Sequence, residues 1–174
     1  MAVVVDAQIL HGIYCTDIGR ENPLSDCATT LLERSRDTHY FAVDAGQHVV
    51  SEWERVVDWD WFQNWYMIFV QNFRVVELTT ASEHAVIREL RTKYGFPPSG
   101  DVWLVRTALS DARSGAFGSS IILSEDCDLY DPPFKNDAAY RAKLIGGRVE
   151  GKLAKYLRKR HDIVVASVSQ LLAV

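Results

Sequence analysis

The chain has 174 residues, 48% of them hydrophobic, with five tryptophans, seven tyrosines and seven phenylalanines. One domain of about 100–200 residues with a sizeable apolar core is expected, with no need for covalent staples. The three cysteines, Cys15, Cys27 and Cys127, show no C-x-x-C spacing and no histidine at ligand spacing, which argues against a disulfide framework and a zinc site. The formal net charge is −4, yet residues 141–160 carry eight basic side chains and one acid, leaving −11 on the remainder. A polarised molecule of this kind can orient a phosphate backbone. The N-terminus has neither a basic leader nor a long apolar run, so a cytoplasmic setting without a membrane span is expected.

In chain order, Val3, Val4 and Val5 predict a strand stopping at Asp6. Leu24, Ala28, Leu31 and Leu32 fall at helical spacing, with Ser25 as a cap. Residues 40–43 predict a second strand ending in the turn Asp44-Ala45-Gly46. Val49, Val50, Trp53, Val56 and Val57 predict a helix over 47–58. Phe62, Trp65, Tyr66, Phe69 and Phe73 continue at helical spacing, and residues 74–79 are rich in strand formers. A helix over 82–94 is closed by Gly95 as a left-handed cap. Another opens at Asp101 with Val102, Val105, Leu109 and Ala112 inward. Residues 119–124 form a buried strand, followed by an acidic loop over 125–131. Residues 138–160 are helical on both sides of Gly146-Gly147, residues 163–168 form a last strand, and residues 169–172 a final turn. Short apolar strands alternating with amphipathic helices predict one three-layer α/β/α domain over residues 1–174, with a mainly parallel central sheet.

Ligands of such sheets bind beyond the carboxyl ends of the strands. Asp6 and Asp126 each follow an apolar strand, and Asp101 opens a helix just before the second of these. Glu52 lies among core-type residues, with Glu54 as a neighbouring alternative. Like-charged carboxylates about 4 Å apart cost roughly 4 kcal/mol per pair at an effective dielectric near 20, so a cluster protonates or holds a cation. Oxygen donors alone select hard ions, Mg²⁺ or Mn²⁺, which activate water for phosphodiester hydrolysis. Aspartate is also a common turn former and helix cap, so pattern alone leaves each acid open. The five histidines are scattered and none pairs at i, i+4, so none is read as a catalytic group or ligand.

Several segments, in order, resemble a PIN-like domain. Val-Val-Val-Asp-Ala-Gln-Ile-Leu (3–10) resembles that family's first strand and aspartate. The stretch from Phe41 through Asp44-Ala-Gly to Glu52-Trp-Glu is similar to its second strand, turn and glutamate-bearing helix. Ser-Gly-Asp-Val-Trp (99–103) resembles the helix start carrying a third acid, and Ile-Ile-Leu-Ser-Glu-Asp-Cys-Asp-Leu (121–129) its Thr-x-Asp-x-Asp-Phe loop. Leu129 stands where the pattern has an aromatic, which leaves Asp126 and Asp128 in competition for the fourth acid.

The resemblance implies an endoribonuclease using Mg²⁺ or Mn²⁺, with Asp6, Glu52, Asp101 and Asp126 catalytic and Asp6, Asp101, Asp126 and Asp128 around the metal. A toxin or defence effector is one such role. A catalytically silent PIN-like module that binds RNA or a protein is the alternative. Arg148, Lys152, Lys155 and Lys159 recur at four, three and four, and are expected to guide RNA from one helical face. Trp59 and Trp61 cannot both face inward beside Trp65, which suggests a surface for a homodimer or an inhibitory protein partner.

Overall fold

The computed structural model describes residues 2–21, 39–81, 83–98 and 101–172. The expected helix around Leu24, its Ser25 cap, and Cys27, Ser82, Ser99 and Gly100 lie outside the described residues. In chain order the elements are β1 (Ala2–Val5), α1 (Ala7–Asp17), β2 (Tyr40–Asp44), α2 (His48–Val56), α3 (Trp59–Gln71), β3 (Val75–Leu78), α4 (His84–Tyr94) and α5 (Val102–Ser114). They continue with β4 (Ser120–Leu123), short 3₁₀ turns over Cys127–Leu129 and Pro132–Phe134, α6 (Ala138–Ile145), α7 (Lys152–His161), β5 (Ile163–Ala166) and α8 (Val168–Leu172). Among the described residues no helix is long and apolar enough to cross a membrane.

The five strands form one all-parallel sheet in the order β3-β2-β1-β4-β5. β1 is central and covered on both faces, which explains why its four residues are apolar without alternation and at most 3% exposed. The chain winds outward from β1 through β2 to β3, then crosses to β4 and winds the other way to β5. Right-handed crossovers put α1, α2 and α3 on one face and α4, α5 and α7 on the other. The packing agrees: α1 lies on α2, α4 lies on α7, and α5 runs under all five strands. The result is the three-layer α/β/α architecture expected from the strand–helix alternation.

The aromatic insert closes the first face. Phe41 of β2 packs edge-on against Phe69 and beside Trp65, and Trp65 in turn sits between Trp53 and Trp61. Trp61 is held by a hydrogen bond from Nε1 to Asp17 at 2.9 Å, whereas Trp59 is 55% exposed. The residues expected to continue that helix to Phe73 stop short of it. Asn72 ends α3, and Phe73 turns into the left-handed region (φ +55°) with its ring in solvent.

Two further expectations are corrected. Val168 opens α8 instead of closing β5, because Ser167 turns the chain by bonding the carbonyl of Ile145 and the backbone N–H of Gln170. Arg148 does not share a helix with Lys152, Lys155 and Lys159. Gly147 adopts φ +70° after α6, and a non-helical stretch intervenes before α7 starts at Lys152. Gly95 (φ +72°) does cap α4 in the left-handed conformation, as expected.

Candidate acidic centre at the switch point

β1 and β4 are neighbours whose outgoing connections run in opposite directions, so a crevice opens beyond their carboxyl ends. Asp6 is the first residue after β1. It is 5% exposed, its backbone N–H bonds Leu123 O at 2.9 Å, and its Oδ1 accepts the N–H of Gln8 at 3.0 Å, capping α1. Its Oδ2 accepts a hydrogen bond from the buried hydroxyl of Ser124, the first residue after β4. The same Ser124 oxygen accepts the N–H of Asp126 at 2.9 Å. One side chain therefore ties both strand ends together and sets the entry of the acidic loop. In that loop Asp126 Oδ1 caps the 3₁₀ turn by accepting the N–H of Asp128 at 2.8 Å. Asp128 pairs with Lys135 Nζ at 3.4 Å.

Asp101 approaches from the other layer, at the N-terminus of α5, and Glu52 from the middle of α2. Together with Asp6, Val49, Trp53, Trp103 and Leu104 they line a narrow recess of about 20 Å³. Glu54 does not line it, so of the two neighbouring acids Glu52 is the one that shares the recess. Asp126 and Asp128 border an adjoining depression with Gln8, Lys135 and Arg141.

The acids act on one another. Burial raises the Asp101 carboxyl to about 7, and the negative charges of Asp6, Asp126, Asp128 and Glu52 push the same way. Asp101 makes no capping hydrogen bond that would offset this. Burial also raises Asp6, against the bonds from Ser124 and Gln8 that favour its ionised form; Asp126 and Glu52 raise it further. Asp126 acts on both Asp6 and Asp101, and Asp128 acts on Asp101 while pairing with Lys135. Among the described residues no group of three or more His, Cys, Asp or Glu side chains is drawn together as a ready ligand set. The five acids share a field without forming a closed shell.

The expected guiding cations line neither of these hollows. Lys152 begins α7 at the carboxyl edge of the sheet, with its backbone N–H on Asp131 and its ammonium 5.8 Å from the Phe134 ring centre. α7 returns antiparallel to the strands, so Lys159 stands roughly 10 Å further from that edge. Arg148 is exposed in the preceding loop. Lys135, which sequence pattern does not single out, and Arg141, at the start of the basic segment, border the depression that holds Asp126 and Asp128. Ser124 is a further addition, although a hydroxyl residue at the strand end, two positions before an acid, is a signal that the sequence carries. A mainly apolar cavity of about 400 Å³ lies apart from these acids, against β5 and the start of α7.

Comparison with protein-family models, with curated proteins and with solved structures yields no match.

Proposed function

We propose that the chain is a divalent-metal-dependent endoribonuclease of PIN-like type, hydrolysing RNA phosphodiester bonds at the crevice between β1 and β4. The observation that carries this reading is the position of Asp101 in the combined field of Asp6, Asp126, Asp128 and Glu52, in a recess lined by no Lys or Arg among the described residues, with Lys135 and Arg141 bordering only the depression that holds Asp126 and Asp128. Such a field is costly unless a cation enters it. The donors are all carboxylate oxygens, which suits Mg²⁺ or Mn²⁺ and not zinc or copper.

In this reading Asp6 and Asp126 hold the ion with Asp101, while Asp128 and Glu52 orient its surroundings. Such an ion supplies polarisation of the phosphoryl oxygen and acidification of a water molecule. Ser124 keeps the Asp6 carboxylate turned toward the crevice by occupying its Oδ2 and fixing the backbone of Asp126. Asp101, whose carboxyl is raised to about 7, would be among the residues holding such an ion, in its ionised form. The basic residues Arg148, Lys152, Lys155 and Lys159 would then engage RNA outside the crevice, in support of the substrate's approach.

The test is cleavage of mixed single-stranded RNAs with Mn²⁺, using Asp6→Asn as control. Loss of cutting in the variant with an unchanged melting curve is expected; equal rates for the two proteins reject the assignment. The open arrangement of the acids favours a second reading, a silent module that binds RNA or a protein. A melt with Mn²⁺ at a hundredfold excess over its dissociation constant separates the two, since occupancy stabilises by about 2.7 kcal/mol. No shift at millimolar Mn²⁺ favours the silent module.

A further inference from the structure

Trp103 lines the acidic recess with Asp6, Glu52 and Asp101, and it carries two other side chains on its indole. The imidazole of His48, in the first turn of α2, stacks on it with centroids 3.4 Å apart and planes 9° from parallel. The guanidinium of Arg106, one turn further along α5, lies 4.7 Å from the ring centre. Asp44 fixes the imidazole by a 2.7 Å contact from Oδ2 to Nδ1, yet 44% of the His48 side chain remains exposed. Arg106 has no ion-pair partner among the described residues, and its Nε is buried with no acceptor. A glycine makes room for this arrangement: a Cβ on Gly46 would fall 2.7 Å from His48 Cε1 and 2.8 Å from Nδ1.

A buried guanidinium nitrogen without an acceptor is costly, and so calls for an anion. A flat imidazole, exposed and rigidly backed by indole, suits an aromatic ring. A simple phosphate would use only Arg106 and an apolar ligand neither group; a nucleotide uses both. We propose that Arg106, Trp103 and His48 form a nucleotide-holding subsite beside the acidic recess, Arg106 taking a backbone phosphate and the His48–Trp103 stack the adjacent base of a single-stranded RNA. The proposal rests on the ribonuclease reading for its substrate class, and names positioning residues for that substrate.

The test measures anisotropy of a fluorescein-labelled decaribonucleotide bound to the whole chain in EDTA, where no metal-dependent cleavage occurs. Arg106→Gln should weaken binding about tenfold and reduce the salt slope by about one. His48→Ala should weaken it roughly fivefold to tenfold without changing the slope, and His48→Phe should restore binding by keeping a ring in the stack. Gly46→Ala, whose backbone needs no left-handed conformation, should act like His48→Ala by displacing the imidazole. Wild-type affinity in both Arg106→Gln and His48→Ala overturns the subsite, as does absence of RNA binding by the wild type. Competition by inorganic phosphate alone, with His48→Ala silent, overturns the base-holding part. If Mn²⁺ neither stabilises the chain nor supports cleavage while these variants still lose affinity, the nuclease reading falls and the subsite stands. Asp6-dependent cleavage with an unchanged KM in Arg106→Gln means the reverse, a nuclease without this subsite.

Discussion

The hydroxyl of Ser124 donates to Oδ2 of Asp6 across 118 positions of sequence, and this bond joins the ends of β1 and β4 at the crevice. Its oxygen also receives the N–H of Asp126. Ser124→Ala would leave a buried carboxylate short of a donor and a backbone N–H short of an acceptor. A loss of about 1–3 kcal/mol is expected in urea unfolding. The Mn²⁺-induced rise in melting temperature should shrink as well, because Asp6 would ionise less readily. A variant as stable as wild type, with an undiminished Mn²⁺ response, would show that the bond organises nothing.

Asp101 sets the pH dependence. Its carboxyl titrates near 3.8 in the unfolded chain and at about 7 in the folded one. Between these values the folded protein keeps a proton that the unfolded protein has released, so stability falls as pH rises and levels off above pH 7. The loss is on the order of 2 kcal/mol once solvent screening is allowed for. In EDTA the melting temperature should therefore decline from pH 5 to pH 8. Asp101→Asn should flatten most of this slope and melt higher than wild type at pH 8. Parallel slopes in the two proteins would mean that Asp101 does not feel the other acids.

The architecture was legible because burial on both faces writes itself into sequence: β1 is an uninterrupted apolar run and β4 is apolar after its buried Ser120, each followed by a polar residue. The four acids were legible one at a time for the same reason, each standing at the end or start of an element or amid its apolar positions. Their partners were not. Ser124 and His48 act through contacts between elements, and neither periodicity nor composition reports which elements meet. α1 is hidden in the sequence because Ala7–Asp17 begins directly at Asp6, with no loop to separate strand from helix. The basic face is overextended by spacing alone, which carries it back from Lys152 to Arg148 across the non-helical residues 149–151.

Asp44 is the anchor of α2, the helix that carries Glu52. Its Oδ1 accepts the N–H of Val49 at 2.8 Å, and its Oδ2 accepts that of His48 at 3.0 Å and meets the imidazole. Burial works against the ionised form, but the bonds from Val49 and His48 outweigh it and hold the carboxyl below its usual value. The stabilisation is thus present above about pH 4 and is lost as pH falls through the lowered value. Asp44→Ala should cost about 1–2 kcal/mol at pH 7, and the gap from wild type should narrow toward pH 2. A gap independent of pH would assign the loss to packing and not to the charged cap.

Trp53 lines the acidic recess, yet its polar atom serves the backbone beneath it. Its ring is 1% exposed, and its Nε1 donates to the carbonyl of Val5 at 2.8 Å, one residue before Asp6. Trp53→Phe keeps most of the apolar area and the edge contacts with Trp65 and Tyr66 but abandons that carbonyl. Destabilisation of about 1–3 kcal/mol is expected, by the cost of a buried acceptor left unpaired. Because the indole bonds the backbone and no carboxylate, the loss should be the same at pH 5 and pH 8 and with or without Mn²⁺. A loss that appears only with Mn²⁺ would mean that Val5 and Asp6 shift when the cation enters, and that the indole holds them in place for it.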